Sequence, residues 1–249
     1  SVGYARDCGF DLEAWMAEGL MDLYIPSSYI RLNPWEVSVA LGRKYGVKVY
    51  PSLDDSRVSD PLALKARRSI EAFRGRAMEV WNAGGNGIYL FNYFNPKSPL
   101  WREVGDPAEL SKMDKDYFAS VLGFGWGSGV PHEPYMTIPR LNPQHPMALT
   151  HDVPQSTSVY LGEDLAGWDV SVKLHLRLIG MDPIVGIIVK MNGVELSGRG
   201  MSNEWAVYPL HPKWLKRGYN TVEILLAGSV REKIALTDLQ VQIRRASKK

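Results

Sequence analysis

The sequence predicts a chain of mixed class, α/β in its first half and all-β in its second. Up to about residue 94, helix-period and strand-like segments alternate, which is the pattern of a parallel sheet with helices outside. Beyond a stretch rich in glycine and proline, Val170-Ser171-Val172-Lys173-Leu174-His175-Leu176-Arg177-Leu178 alternates apolar and polar residues strictly, as a strand with one buried and one wet face does. The βα series closes on Gly87-Ile88-Tyr89-Leu90-Phe91-Asn92-Tyr93-Phe94, and if it belongs to a (β/α)8 barrel the chain is expected to hold only the last three βα units. The expected organisation is a partial barrel over 1–122, a linker over 123–134 and an antiparallel β-sandwich over 135–249.

The elements follow in order. Asp11 is placed to cap a helix whose Leu12, Trp15 and Met16 share one face, and Gly19 to end it. Leu23-Tyr24-Ile25 reads as a strand. Asn33-Pro34-Trp35-Glu36 is a helix start, with Asn33 as acceptor for the first-turn amides and Gly46 as the stop after Tyr45. Val47-Lys48-Val49-Tyr50 is the second strand and runs into Pro51-Ser52-Leu53-Asp54-Asp55. A third helix, roughly Leu64 to Asn82, carries Ile70, Phe73, Ala77 and Val80 on one stripe. Its Arg67, Arg68, Arg74 and Arg76 read as a solvated basic face. The glycines from 123 to 129 and the prolines at 131, 134, 139, 143 and 146 mark the join. Strands are then expected over 158–160, 170–178, 185–191, 221–226 and 236–243, with Asn192-Gly193 as a hairpin pair and 216–220 as a second turn.

Composition narrows the function classes. With 249 residues and 45% hydrophobic content the chain can bury one large or two modest cores. A formal charge of +2 without a basic field argues against nucleic-acid binding. The sequence has no apolar run long enough to span a membrane. One cysteine, Cys8, excludes an internal disulfide framework. The five histidines are scattered without metal-ligand spacing, no calcium loop stands out, and no phosphate loop is formed by 123–129, so neither a metal nor a cofactor is expected.

Gly9-Phe10-Asp11-Leu12-Glu13-Ala14-Trp15 with Glu18-Gly19-Leu20-Met21-Asp22, and Ala83-Gly84-Gly85-Asn86-Gly87 leading into the strand that ends at Phe94, resemble bacterial glycosyl-hydrolase-like proteins of the family-ten-like group. Gly105-Asp106-Pro107 and Asp114-Lys115 fit the same group. Val189 to Leu196 and Leu215 to Val222 are similar to the galactose-binding-like jelly rolls attached to many glycosidases. The resemblance implies a TIM-barrel-like domain represented by its sixth to eighth strands, followed by a jelly roll. It also implies a poly- or oligosaccharide as partner, and a secreted or periplasmic place if the protein degrades glycans.

Site residues are sought at the carboxyl ends of the strands, where barrel enzymes build their sites. Asp54 and Asp55 are the catalytic candidates, as general base, nucleophile or sugar-hydroxyl acceptor; their other reading is a turn before Pro61. Asn92 and Tyr93 offer an amide and a phenol to sugar hydroxyls, and Ser27 and Ser28, ahead of Tyr29, form a mouth loop or a plain turn. Glycoside hydrolysis needs two carboxyl groups, and here most of that pair is expected to lie outside the chain. An N-terminal segment, a second chain or a second copy is expected to complete the barrel. The alternative is a non-catalytic carbohydrate-binding or structural module with a degenerate barrel.

Overall fold

A computed structural model describes residues 1–27, 29, 31–54, 57–121, 131–180, 186–202, 204–227 and 233–245. Two short helices come first, α1 (Val2–Asp7) and α2 (Leu12–Ala17). Asp11 caps α2, its carboxylate accepting from the Ala14 amide at 3.1 Å. Gly19 follows at φ +70°, a conformation that only glycine adopts without strain. Next come β1 (Leu23–Tyr24), α3 (Trp35–Lys44), β2 (Lys48–Val49), β3 (Ser52–Leu53), α4 (Pro61–Arg67), α5 (Ile70–Asn82) and β4 (Tyr89–Leu90). Asn33 does not cap α3, contrary to expectation. Pro34 holds that position, and the Asn33 amide instead donates to the Tyr135 carbonyl and the Thr137 hydroxyl, each at 2.9 Å. The expected third helix is two helices, because Ser69 breaks the run and caps α5 by accepting from the Ala72 amide.

β1 pairs with β2 and β3 with β4, all parallel, and β2 and β3 are two ends of one extended stretch on either side of Pro51. Three neighbouring parallel segments result, with a helix layer on one face. Trp35 and Val39 of α3 and Phe73, Ala77 and Val80 of α5 pack there on Val49, Leu53, Tyr24 and Leu90. Because side chains alternate across a strand, the next residues along, Leu23, Ile25, Tyr89 and Phe91, point to the opposite face and are 36–43% exposed. Tyr24, Val49 and Leu90 are the helix-covered set, and the uncovered set is one residue out of phase with it. The described residues do not close a barrel.

After α6 (Leu100–Glu103) and α7 (Pro107–Leu110) the chain enters β5 (Lys115–Phe118). The remaining strands are β6 (Met147–Leu149), β7 (Gln155–Leu161), β8 (Val170–Ile179), β9 (Gly186–Met191), β10 (Val194–Glu195), β11 (Gly200–Ser202), β12 (Trp205–Leu210), β13 (Gly218–Ala227) and β14 (Ile234–Arg245). They form an antiparallel sandwich. One sheet runs β10-β9-β13-β7; the other runs β11-β12-β8-β14-β5, with β6 also on β14. Val172, Leu174 and Leu176 of β8 meet Val189, Met191, Val222 and Ile224 of the facing sheet in the core. Asn192 and Gly193 both take positive φ, 51° and 83°, which is the two-residue hairpin that their identities predict. The strand β5 lies upstream of the expected boundary at residue 122, yet it hydrogen-bonds to β14 with Tyr117 opposite Val241.

Helices α4 and α5 join the two parts. The solvated arginine face expected from sequence is a correction here: Arg67 and Arg76 are buried, and Arg74 holds Glu103 at 2.9 Å with little exposure. Arg67 pairs with Asp238 of β14, while Arg31, in the loop after β1, reaches Glu79 of α5 at 2.9 Å. Burial pushes the Glu79 carboxyl above its ordinary value, and Arg31 acts against that shift.

Candidate functional site

The carboxyl ends of the parallel segments lie side by side. The Ser52 amide donates to the Pro26 carbonyl at 2.9 Å and the Phe91 amide to the Leu53 carbonyl at 3.1 Å, so Ser27, Asp54 and Asn92 leave the sheet at one rim. Ser27 is exposed, and its hydroxyl accepts from the Tyr29 amide at 3.1 Å, closing a local turn. Asp54 is only 2% exposed, and its backbone carbonyl accepts from Arg76 at 2.6 Å. Asn92 is exposed at φ +52°, in the left-handed region that asparagine tolerates better than most residues. Tyr93 is half-buried. Its hydroxyl shares a 2.7 Å hydrogen bond with Ser98, and its ring sits between Phe73 and Trp101 at centroid distances of 5.5 and 5.6 Å. Asp55 and Ser28 lie outside the described residues.

Aromatic rings surround these groups. Tyr29 meets Phe91 edge-on at 5.4 Å, Phe91 stands 6.5 Å from Tyr89, and the Arg57 guanidinium lies 3.9 Å from the Tyr29 ring centre. An open depression of about 340 Å³ lies between Arg68, Phe91, Asn92, Tyr93, Phe94 and Asn95. A groove of about 430 Å³ runs along the unpaired side of β1, where Tyr4 and Phe10 face Ile25 and Tyr29. The rim therefore presents ring faces, amides, hydroxyls and guanidinium groups to solvent. Asp54, the described carboxylate at these strand ends, sits below its surface.

Sequence reasoning singled out Asn92 and Tyr93 but not Arg57, Arg68, Phe94 or Trp101 as part of this surface. The available signal was the density of rings within 91–101, where Phe91, Tyr93, Phe94 and Trp101 crowd around one strand end. Among the described residues no group of three or more His, Cys, Asp or Glu side chains is gathered as a metal site would require, and no helix is long and apolar enough to cross a membrane.

No family model matches the chain, and no curated protein matches it. Among solved structures it is similar to a β-porphyranase of glycoside hydrolase family 86 from the human gut bacterium Bacteroides plebeius, at a TM-score of 0.34 and 14% identity over 55% of this chain and 21% of that one. It is also similar to BuGH86 in complex with neoagarooctaose, at 0.34 and 12% over 52% of this chain and 18% of that one. A third match is the CBM36-1 domain of a multidomain xylanase from the hindgut metagenome of Trinervitermes trinervoides, at 0.27 and 16% over 54% of this chain and 98% of that one. The chain thus spans about a fifth of the length of the family-86 chains. Nothing about the chemistry of the rim follows from likenesses of this size.

Proposed function

We propose that residues 1–122, apart from β5, are the C-terminal part of a glycoside-hydrolase-like barrel of the family-ten-like kind, that β5 and 135–249 form an attached galactose-binding-like sandwich, and that the strand-end rim contacts a poly- or oligosaccharide. The observation that carries this reading is the one-sided layering of the parallel segments, with helices on one face and Leu23, Ile25, Tyr89 and Phe91 exposed on the other. In a barrel that second face is packed interior, whereas in water it is an apolar patch of the kind that marks an interaction surface. Further parallel strands, from an N-terminal segment, a second chain or a second copy, cover it in this reading. Aromatic faces and amides at the rim suit the C–H faces and hydroxyls of sugars.

Catalysis asks for two carboxyl groups flanking the scissile bond. Asp54 and Asp55 are this chain's own candidates, with Ser27, Ser28, Asn92 and Tyr93 as sugar contacts; the acid and nucleophile come largely from the covering segment. The burial of Asp54 favours a second reading, in which the rim binds carbohydrate without cleaving it. Asn92→Gly, which removes the amide and keeps the left-handed backbone, is expected to weaken glycan affinity in titration calorimetry while leaving the unfolding midpoint nearly unchanged. The purified 249-residue protein is expected to release no reducing sugar. Robust hydrolysis by that protein would overturn the assignment of the catalytic pair to another segment, and failure to bind any glycan would overturn both readings.

A further inference from the structure

Phe94 is the most exposed large apolar side chain of the rim, at 85%, and it stands between two depressions. On one side lies the space of about 340 Å³ beside Asn92; on the other a space of about 410 Å³ is lined by Tyr93, Phe94, Pro96 and Trp101. Both depressions share Tyr93 and Phe94. Trp101 is 46% exposed, yet it is held in place, because its indole N–H donates to the Asn95 carbonyl at 2.7 Å and its ring meets Tyr93 edge-on. Tyr93 is itself fixed through Ser98. The indole's polar atom is satisfied inside the protein while part of its ring faces outward, so a ligand stacking there pays little to order the side chain.

From this arrangement we infer that the sugar path crosses Phe94 into the second depression over Trp101, so the ligand is a chain of at least two pyranose units rather than a single sugar. The inference rests on the reading of the rim as a carbohydrate contact. The chemistry alternates as a sugar chain would require. Asn92, Asn95 and Arg68 supply polar groups on one side of Phe94, and rings with few polar atoms lie on the other. A wholly apolar peptide segment would suit the second depression but leave the amides of the first without a partner.

Binding of the full chain to glucose, xylose and galactose, followed by NMR titration, is to be compared with binding to cellohexaose, xylohexaose and neoagarooctaose. One of the oligosaccharides is expected to bind about tenfold or more tightly than its parent sugar, the size of effect that one stacked ring supplies. Trp101→Ala, at a ring that lines the second depression and not the first, is expected to remove most of that gain while leaving the parent sugar's affinity within about twofold; Phe94→Ala, at a ring that lines both, is expected to remove the gain and weaken the parent sugar as well, and Asn92→Gly to weaken both. Trp101→Phe, which keeps a ring but loses the bond to Asn95, is expected to retain part of the gain and guards against a folding artefact. A length gain that survives Phe94→Ala and Trp101→Ala, or no length gain at all, overturns the inference while leaving carbohydrate binding at the rim intact. If none of the six probes binds, the rim reading falls, and the inference with it.

Discussion

Arg67 of α4 and Asp238 of β14 face each other through two hydrogen bonds of 2.7 Å, Nη1 to Oδ2 and Nη2 to Oδ1, with both side chains closed off from solvent. The pair joins residues 171 positions apart. The same guanidinium donates twice to the Ser120 carbonyl, at 3.0 and 2.8 Å, so nearly all of its donors are used.

Removing one partner leaves the other charge buried. Arg67→Met or Asp238→Leu alone is expected to cost about 3–5 kcal/mol in urea unfolding, and the double variant to recover much of that loss, since a buried pair replaced by apolar residues is often near neutral. A small loss for Asp238→Leu beside equal losses for Arg67→Met and the double variant would show that the guanidinium's bonds to Ser120, and not the ion pair, carry the stability.

Gly75 and Gly162 mark where α5 touches the sandwich. A β-carbon on Gly75 would stand 2.4 Å from the Asp116 carbonyl oxygen, and one on Gly162 2.4 Å from the Met78 carbonyl carbon. Gly75→Ala in a free helix would stabilise by roughly 1 kcal/mol. Here a loss of about 1–3 kcal/mol is expected instead, because backbone must move to admit the methyl group. Thermal unfolding of Gly75→Ala and Gly162→Ala measures the sign directly.

His175 of β8 carries a pH dependence. Burial pushes its imidazole down to about 4, with Lys173 and Arg244 adding to the shift. The unfolded chain takes up a proton at the ordinary value near 6.5, so between 6.5 and 4 the unfolded state binds more protons than the folded one. Stability from this group is therefore present above that window and lost as pH falls through it. His175→Phe is expected to flatten the fall between pH 6.5 and 4, read as the change in urea midpoint against pH.

Much of the fold was legible because local chemistry and final environment agree. Asp11 caps a helix by bonding three residues ahead, Asn192-Gly193 turns a hairpin through its own tolerance of positive φ, and the alternation from Val170 to Leu178 reports one buried face. The failures came where a distant segment decides the environment. The strand Lys115–Phe118 is buried at every position because the sandwich core lies on one side and α5 on the other, so it shows no alternation to read. The arginines of α4 and α5 look solvated in sequence, yet Arg67 finds its partner on the other half of the chain. At the rim, Asn92 and Tyr93 were visible as polar residues ending a strand. The burial of Asp54 was not, since it depends on where Arg76 and the neighbouring segments fall.

The pairing of β5 with β14 also orders events during synthesis. Phe118 meets Gln240, so β5 leaves the ribosome with its partner still unmade. At about 5–20 residues per second that interval is on the order of ten seconds, during which β5 has no neighbour on that edge. A contact spanning so much sequence is entropically late to form, which makes the nascent first half the stage most exposed to wrong strand pairing and to capture by chaperones.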